Sequence, residues 1–330
     1  MAVRPTSLNA ARLVLAAAVP LLAIAPWLFA DTEIVLLTEF FSMLVLAIMW
    51  NVLAGYADIV TVGQHGFVGV GAYAFYGFAV LAGVNPYLSL PLAGIVALIV
   101  AVPAMALVFR LRTAYLSIGT WVIAEVLMLG AGKLEAFGGG SGVSLPVAVL
   151  RAFGAGRGAR LAMIYWLAFA LAMVALAGTY LLLRSRIGIG LTAMRDNEES
   201  AASVGVNITR ARIVCFLGSA PLLGMTGALI TLQKLRIAPH ASFSISDWTV
   251  FIIFNVVIGG IGTIEGPILG TAVFFILRAY LTDYGTWYLM LLGALSIVII
   301  LVDRRGLWGL IRRFLLPADL ISTAHRSAAK

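Results

Sequence analysis

The segment "YLSLPLAGIVALIVAVPAMALVF" (residues 87–109) contains 23 residues and no charged side chain. An α-helix rises about 1.5 Å per residue, so roughly 20 helical residues cross a hydrocarbon core of about 30 Å. A run of this length and composition is typical of a membrane-spanning helix.

Similar apolar blocks occupy most of the chain on both sides of this segment. The sequence is 62% hydrophobic and only 11% charged, whereas soluble proteins contain roughly 25% charged residues. Its mean hydropathy is +1.06. These features predict an all-α polytopic membrane protein that forms a single transmembrane domain over residues 1–330. The blocks are 13–30, 34–55, 61–82, 87–109, 115–132, 161–183, 210–233, 247–262, 266–281 and 285–302.

The expected number of transmembrane helices is about 8–10, because some blocks need not cross completely. Block 61–82 is rich in glycine and block 247–262 is short, so either could be a re-entrant or broken helix. The first block resembles a signal peptide in position, but Pro20 and Pro26 interrupt it and no small-x-small cleavage pattern ends it. We therefore expect it to be the first spanning helix.

The distribution of lysine and arginine predicts the orientation in the membrane. If all ten blocks cross and the N-terminus is cytoplasmic, fifteen basic residues lie inside and six outside, in agreement with the positive-inside rule. Both termini are then cytoplasmic, with an outer loop over 133–160, a cytoplasmic loop over 184–210 and a cytoplasmic tail over 303–330. The net charge of +8 follows from topology, because the basic residues form no single patch for nucleic acid.

The segment "RDNEESAASVGVNITRAR" (195–212) is unusually polar for such a chain. Its acidic residues precede a run that can form a short helix, where negative charge is favourable. Ala201 and Ala202 would let another surface approach closely, Gly205 permits a sharp change of direction, and Asn207 can begin the next helix. The pattern favours a docking element at the inner face; the alternative is an ordinary solvated loop.

This segment resembles the cytoplasmic coupling loop of ABC importer permeases, in particular the branched-chain amino acid permease family. Ser200 departs from the family's usual alanine, which is a change between small residues. The resemblance assigns ATPase coupling to Asp196, Asn197, Glu198, Ala201, Ala202, Gly205 and Asn207.

Four further segments resemble the same family in the same order along the chain. Glu265 stands where the family more often has an aromatic residue, and Asp303-Arg304 replaces its usual proline setting. The segments are "WNVLAGYADIVTVGQHGFVGVGAYAF" (50–75), "GGGSGVSLP" (138–146), "VIGGIGTIEGPILGTAVF" (257–274) and "DRRGLWG" (303–309).

The resemblance implies a bacterial inner-membrane subunit that imports branched-chain or related hydrophobic amino acids. The implied partners are a homologous second permease, two cytoplasmic ATP-binding subunits and an external substrate-binding protein, besides membrane lipid. The sequence contains no G-x-x-x-x-G-K-[ST] motif, so we expect no ATPase site and no cofactor in this chain, with ATP used by partner subunits. Related systems carry urea, amides and small carboxylates, so the substrate stays open.

Polar residues inside apolar blocks are costly and are candidates for function. The translocation-path candidates are Asn51, Gln64, His65, Glu125 and Asn255, although hydrogen bonding between helices and snorkelling are the structural alternatives. Two short segments, "WNVLAGY" (50–56) and "FNVVIGG" (254–260), each place an asparagine four residues before a glycine. Such an echo is compatible with the internal repeats found in transporters.

Glycines in three of the blocks predict close helix packing. They are Gly69, Gly71, Gly259, Gly260, Gly262, Gly266 and Gly270.

Other functional classes have weaker support in the sequence. A secondary transporter or channel for small polar solutes would use Glu125, but needs more intramembrane carboxylates than the blocks contain. An intramembrane serine protease could use Ser141, but no histidine lies on an obvious partner helix. The single cysteine, Cys215, allows no intrachain disulfide, and there is no pattern of metal ligands.

Overall fold

The computed structural model describes residues 19–111, 113–281, 286–303 and 306–314, and helices dominate it. We number the principal helices in chain order. They are α1 (Asp31–Asn51), α2 (Gln64–Tyr76), α3 (Pro86–Val108), α4 (Thr113–Ala131), α5 (Arg157–Arg184), α6 (Arg186–Asp196), α7 (Glu198–Ser203), α8 (Ile208–Lys234), α9 (Phe251–Gly259), α10 (Glu265–Leu281), α11 (Thr286–Val302) and α12 (Gly306–Phe314).

Short helical turns connect these elements. Helical turns form at Ala25–Leu28, Val147–Arg151 and Pro239–Ser242, and π-helical turns at Val52–Tyr56, Gly77–Leu81 and Ser246–Val250. Two strands, β1 (Val143–Ser144) and β2 (Arg236–Ile237), pair antiparallel with Val143 opposite Ile237. This pairing joins the predicted outer loop to the segment that follows α8.

The helices confirm an all-α polytopic membrane protein. Within the described residues, five helical stretches are long and apolar enough to cross a membrane, and the bent pair Tyr115–Ala131 with Glu135–Ser141 makes a sixth if it counts as one span. The five are Asp31–Tyr56, Pro86–Val108, Arg157–Arg184, Ile208–Lys234 and Pro239–Gly259.

This number is smaller than the expected 8–10 transmembrane helices. Blocks 61–82, 266–281 and 285–302 do form helices, but α2 has 13 residues and α10 and α11 have 17 each. Residues 13–18 of the first predicted block lie outside the described residues, and so do residues 304–305 and 315–330 of the predicted tail.

Helix α8 lies at the centre of the fold and packs against α1, α2, α3 and α5. Small residues bring its backbone close to α2: a Cβ atom at Gly71 would overlap the carbonyl group of Gly224, and one at Gly227 would overlap that of Val68. Without side chains at these positions, the two helices can approach at backbone distance.

The connections between helices gather at two ends of the molecule. At one end, Arg212 near the start of α8 contacts Ala57 and Asp58, which follow α1. At the other end, Lys234 at the end of α8 contacts Glu39. Since 22 helical residues separate the two basic side chains, the ends are about 33 Å apart. We call them the inner end and the outer end, after the predicted orientation.

A charged cluster that the sequence analysis missed lies toward the outer end. The Glu39 carboxylate on α1 is 3.4 Å from Nζ of Lys234 on α8 and 3.2 Å from Nη1 of Arg278 on α10. Glu39 is mostly buried, with 22% of its side chain exposed. The cluster therefore joins three helices by charge as well as by packing.

Candidate functional site

Helix α7 is a short helix with both ends closed by its own neighbours. The Asn197 side chain caps its start, because Oδ1 accepts a hydrogen bond of 2.8 Å from the backbone N–H of Ser200. At its end, the N–H groups of Gly205 and Val206 donate to the carbonyl groups of Ala202 and Ala201. These two bonds form a Schellman motif, whose C′ residue must be left-handed, and Gly205 has φ of +88°.

The same polar segment also begins α8. Oδ1 of Asn207 accepts a hydrogen bond of 2.9 Å from the backbone N–H of Arg210 and so caps this helix. Asp196 ends α6. The residues predicted to couple to an ATPase therefore form one connected unit, α6–α7–α8, at the inner end.

The exposed residues of α7 are mostly small, namely Ser200, Ala202 and Ser203, and Glu199 is exposed beside them. Ala201 is buried against the rest of the protein, whereas Ala202 is exposed and Val204 is 78% exposed. Glu198 points inward instead, and its Oε2 accepts a hydrogen bond of 3.0 Å from Nη2 of Arg212. The exposed surface of α7 therefore combines small side chains with the carboxylate of Glu199.

Arg195 and Arg212, which were not among the predicted site residues, connect this unit to the rest of the protein. Besides Glu198, Arg212 contacts Ala57 and Asp58. Nη1 of Arg195 donates a hydrogen bond of 3.1 Å to the carbonyl oxygen of Gly262. The sequence shows both arginines at the edges of the polar segment, but their partners are 155 and 67 residues away.

Gln64 and His65 begin α2 in a buried position. Nδ1 of His65 lies 3.1 Å from the hydroxyl of Thr249, while Nε2 of His65 and both amide atoms of Gln64 have no hydrogen-bond partner among the described residues. A cavity of about 20 Å³ adjoins Gln64, lined also by Thr61 and by apolar side chains such as Phe67. Buried polar groups without partners are rare and call for a functional explanation.

The two candidate asparagines have different surroundings. Oδ1 of Asn51 accepts a hydrogen bond of 2.8 Å from the N–H of Gly262, and its Nδ2 donates one of 2.7 Å to the carbonyl of Thr263. Asn255 is fully buried, but neither of its amide atoms has a partner in the described part of the chain. Asn51 therefore joins two helix ends, whereas Asn255 keeps unused hydrogen-bonding groups.

Glu125 lies half-buried on α4. Its Oε1 accepts a hydrogen bond of 3.0 Å from Nε1 of Trp121, one turn earlier. Around it α4 exposes large apolar side chains, including Val122 and Val126.

The predicted packing glycines lie at backbone contacts. Besides Gly71, described above, Gly69 faces the ring of Phe243, and a Cβ at Gly270 would overlap the carbonyl of Asn255. At the turn between α9 and α10, Cβ atoms at Gly259 and Gly266 would overlap the backbone of the opposite helix. Gly260 (φ +129°) and Gly262 (φ +76°) have backbone conformations that other residues rarely adopt.

No metal centre or disulfide is present in the described ranges. There, no group of three histidine, cysteine, aspartate or glutamate side chains could hold a metal ion. Cys215 is buried as a free thiol in α8.

The long apolar helices define a multi-pass membrane protein. A sequence family described as "Branched-chain amino acid transport system / permease component" matches residues 34–301, and the chain belongs to this family. No solved structure matches it.

Several curated proteins are similar to the chain. The high-affinity branched-chain amino acid transport system permease protein LivM of Salmonella typhimurium is 25% identical over 86% of this chain and 71% of its own length. LivM of Escherichia coli is 26% identical over 80% and 67%. A probable branched-chain amino acid transport permease protein LivH of Methanocaldococcus jannaschii is 24% identical over 72% and 78%.

Proposed function

We propose that this chain is a transmembrane permease subunit of an ATP-driven ABC importer in the bacterial inner membrane. It forms half of the translocation path for branched-chain or related hydrophobic amino acids and couples to a separate ATPase through residues 195–209. The observation that carries this proposal is α7, a doubly capped helix whose exposed residues are mostly small (Ser200, Ala202 and Ser203), next to the exposed Glu199. A rigid helix with small exposed side chains can transmit force to and from a docked partner.

The other members of the complex follow from the family and from the relatives' names. Relatives named LivM and LivH are both described as branched-chain amino acid transport permeases, which supports a homologous second permease as the partner that completes the path. Two cytoplasmic ATP-binding subunits and an external substrate-binding protein complete the proposed complex. ATP is bound by those partners, and this chain needs no cofactor.

The buried polar groups support the position of the path. Gln64, His65 and Asn255 carry hydrogen-bonding atoms that the described residues leave without partners. Asn51 is already bonded to the α9–α10 turn, so its contribution is to shape the path. A route beside the start of α2 would let substrate or water satisfy the unused groups.

The test compares one substitution at the two ends of the molecule. Val204→Arg places a long charged side chain on the surface of α7, and Val147→Arg, the control, does the same in the outer loop, where Val147 is 63% exposed. Each chain is expressed with its candidate partner permease and ATPases and purified by a tag on this subunit. Co-purified ATPase and uptake of radiolabelled leucine into proteoliposomes, driven by the binding protein and ATP, are measured.

We expect the native chain and Val147→Arg to retain the ATPase subunits, and Val204→Arg to lose them while still folding. If ATPase subunits never associate with the native chain, the importer proposal is wrong. Uptake of a small polar solute without ATP, lost in Glu125→Gln, would then support the alternative, a secondary transporter or channel for small polar solutes that uses Glu125.

A further inference from the structure

Arg212 connects α7 to the end of α1 through three partners. Its Nη2 is 3.0 Å from Oε2 of Glu198 on α7 and 3.8 Å from Oδ2 of Asp58, and its Nε donates a hydrogen bond of 3.2 Å to the carbonyl of Ala57. A guanidinium group can make these contacts together because its donors form a planar fork, whereas a lysine ammonium is a single point charge. Any displacement of Glu198 therefore acts on the chain at Ala57.

Arg195 provides a second connection from the same loop. It lies in the last turn of α6, next to α7, and donates to the carbonyl of Gly262 in the α9–α10 turn. The N–H of Gly262 in turn donates to Asn51, which also bonds Thr263. The second connection thus passes through the α9–α10 turn and reaches α1 as well.

Both connections end at the same part of α1. Asn51 is its last residue, and Ala57 directly follows the π-helical turn Val52–Tyr56 that continues it. The chain then leads to Gln64 and His65 at the start of α2. The two arginines therefore act on the helix ends that lead to the buried polar residues Gln64 and His65.

The surroundings of these contacts allow movement. A cavity of about 330 Å³ adjoins the Arg212 contact and is lined by Asp58, Leu111, Glu198 and Arg212 among others. Asp58 has a left-handed backbone with φ of +54°, a conformation that aspartate and asparagine adopt more readily than other residues with a side chain. The open space beside this turn leaves room for a second arrangement.

We propose that Arg195 and Arg212 are positioning residues that transmit movement of α7 to the inner ends of α1, α2, α9 and α10. This inference rests on the proposed importer function, because it assigns the route by which a docked ATPase changes the path. Arg212 moves the Ala57–Asp58 segment, and Arg195 moves the α9–α10 turn together with Asn51. Neither arginine contacts substrate.

The experiment measures coupling separately from docking in the full complex. Arg212→Gln and Arg195→Gln are compared with Arg210→Gln, a matched control on the same loop: Arg210 is exposed, and its guanidinium group has no partner within the described ranges. Each complex is reconstituted in proteoliposomes with the binding protein. Co-purified ATPase, ATP hydrolysis and leucine uptake are recorded, and uptake per ATP is calculated.

We expect Arg212→Gln and Arg195→Gln to keep their ATPase subunits and to hydrolyse ATP, while uptake per ATP falls about tenfold, within the usual range for coupling between two sites. Arg210→Gln should match the native complex. Arg212→Lys should restore little, because it cannot make all three contacts. The double variant Glu198→Gln/Arg212→Gln should have the same uptake per ATP as Arg212→Gln alone, because both substitutions break the same Glu198–Arg212 contact.

Asp58→Asn provides a second test if Arg212→Gln fails to fold, because it keeps the side-chain shape and removes one charge that faces Arg212. It should lower uptake per ATP with the ATPase still bound. If the arginine variants and Asp58→Asn all show native uptake per ATP, the proposed transmission route is wrong, while the importer function stands. Loss of the ATPase subunits from these variants would also overturn it, because the arginines would then serve docking. A native chain that binds no ATPase would refute the importer function itself.

Discussion

Asn51 and Asn255 show how one residue type serves two purposes in this protein. Each lies four residues before a glycine near the end of a helix, and each is buried. Asn51 satisfies both of its amide groups on the backbone of the α9–α10 turn, whereas Asn255 satisfies neither among the described residues. The segments 50–56 and 254–260 are therefore similar in sequence, but their asparagines differ in hydrogen bonding.

Replacing Asn51 should cost more stability than replacing Asn255. Asn51→Ala leaves the N–H of Gly262 and the carbonyl of Thr263 without their partner, so we expect it to lower the free energy of unfolding by roughly 2–4 kcal/mol. Asn255→Ala removes no hydrogen bond and serves as the control. Thermal unfolding of the two variants in the same detergent measures the difference, and equal losses would contradict the assigned role of Asn51.

Gln64 should behave as a functional residue and not as a structural one. Gln64→Leu replaces two unpartnered polar atoms by an apolar group of similar volume, so stability should be retained or rise. Uptake of leucine by the complex should fall, because the amide no longer faces the path. Leu127→Met, a volume-conserving change at the same cavity, is the control. Unchanged uptake in Gln64→Leu would remove this residue from the path.

At the scale of helices, apolar composition predicts the elements well. Every predicted apolar block within the described residues contains a helix, because a long run without charge can satisfy its backbone in the membrane only by helix formation. The helix lengths are less predictable. Block 61–82 gives α2 and then a π-helical turn, and the sequence gives no sign of where one changes into the other.

Close packing between helices gives a prediction at this scale. In Gly71→Ala, the new methyl group would meet the backbone of Gly224, so α2 and α8 must separate. We expect a loss of about 1–3 kcal/mol, which is typical of overpacking. Gly218→Ala on the exposed side of α8, where nothing lies within 4 Å, is the control. It should be neutral or slightly stabilising, and the unfolding temperatures of both variants give the comparison.

The candidate site was only partly predictable, for a physical reason. The caps of α7 and α8 are local hydrogen bonds spanning three residues, so the order of asparagine, alanine and glycine in the sequence already indicates them. The partners of Arg212 and Asn51 are 155 and 212 residues away. Such contacts depend on how helices pack, and a single sequence carries no signal for them; Glu39, Lys234 and Arg278 were missed for the same reason.

At the scale of the whole molecule, the connections fall into two separate groups. Segments predicted to be cytoplasmic meet one another at the inner end, as Arg195 meets Gly262 and Arg212 meets Asp58. Segments predicted to be external meet at the outer end, as β1 meets β2 and Arg157 meets Asp31. This grouping is what alternating membrane crossings require, and which of the two ends is cytoplasmic stays a prediction.

Cysteine labelling can test the orientation directly. In a Cys215→Ala background, Ser203→Cys places a thiol on α7 and Ser141→Cys places one in the outer loop; both serines are exposed. In spheroplasts, a membrane-impermeant maleimide should label Ser141→Cys and should reach Ser203→Cys only after the membrane is opened. The opened membranes serve as the control for reactivity. The opposite pattern would invert the topology.

If α7 docks an ATPase as proposed, its self-contained caps have a consequence for how permeases share that partner. Asn197 and Gly205 close the helix within residues 197–206, and the described contacts to the host permease from this segment are few, with Glu198 and Ala201 prominent among them. Such a segment can be inherited or grafted as a module, provided that the recipient supplies an arginine where Arg212 stands. One ATPase could then serve several permeases that differ everywhere else in sequence.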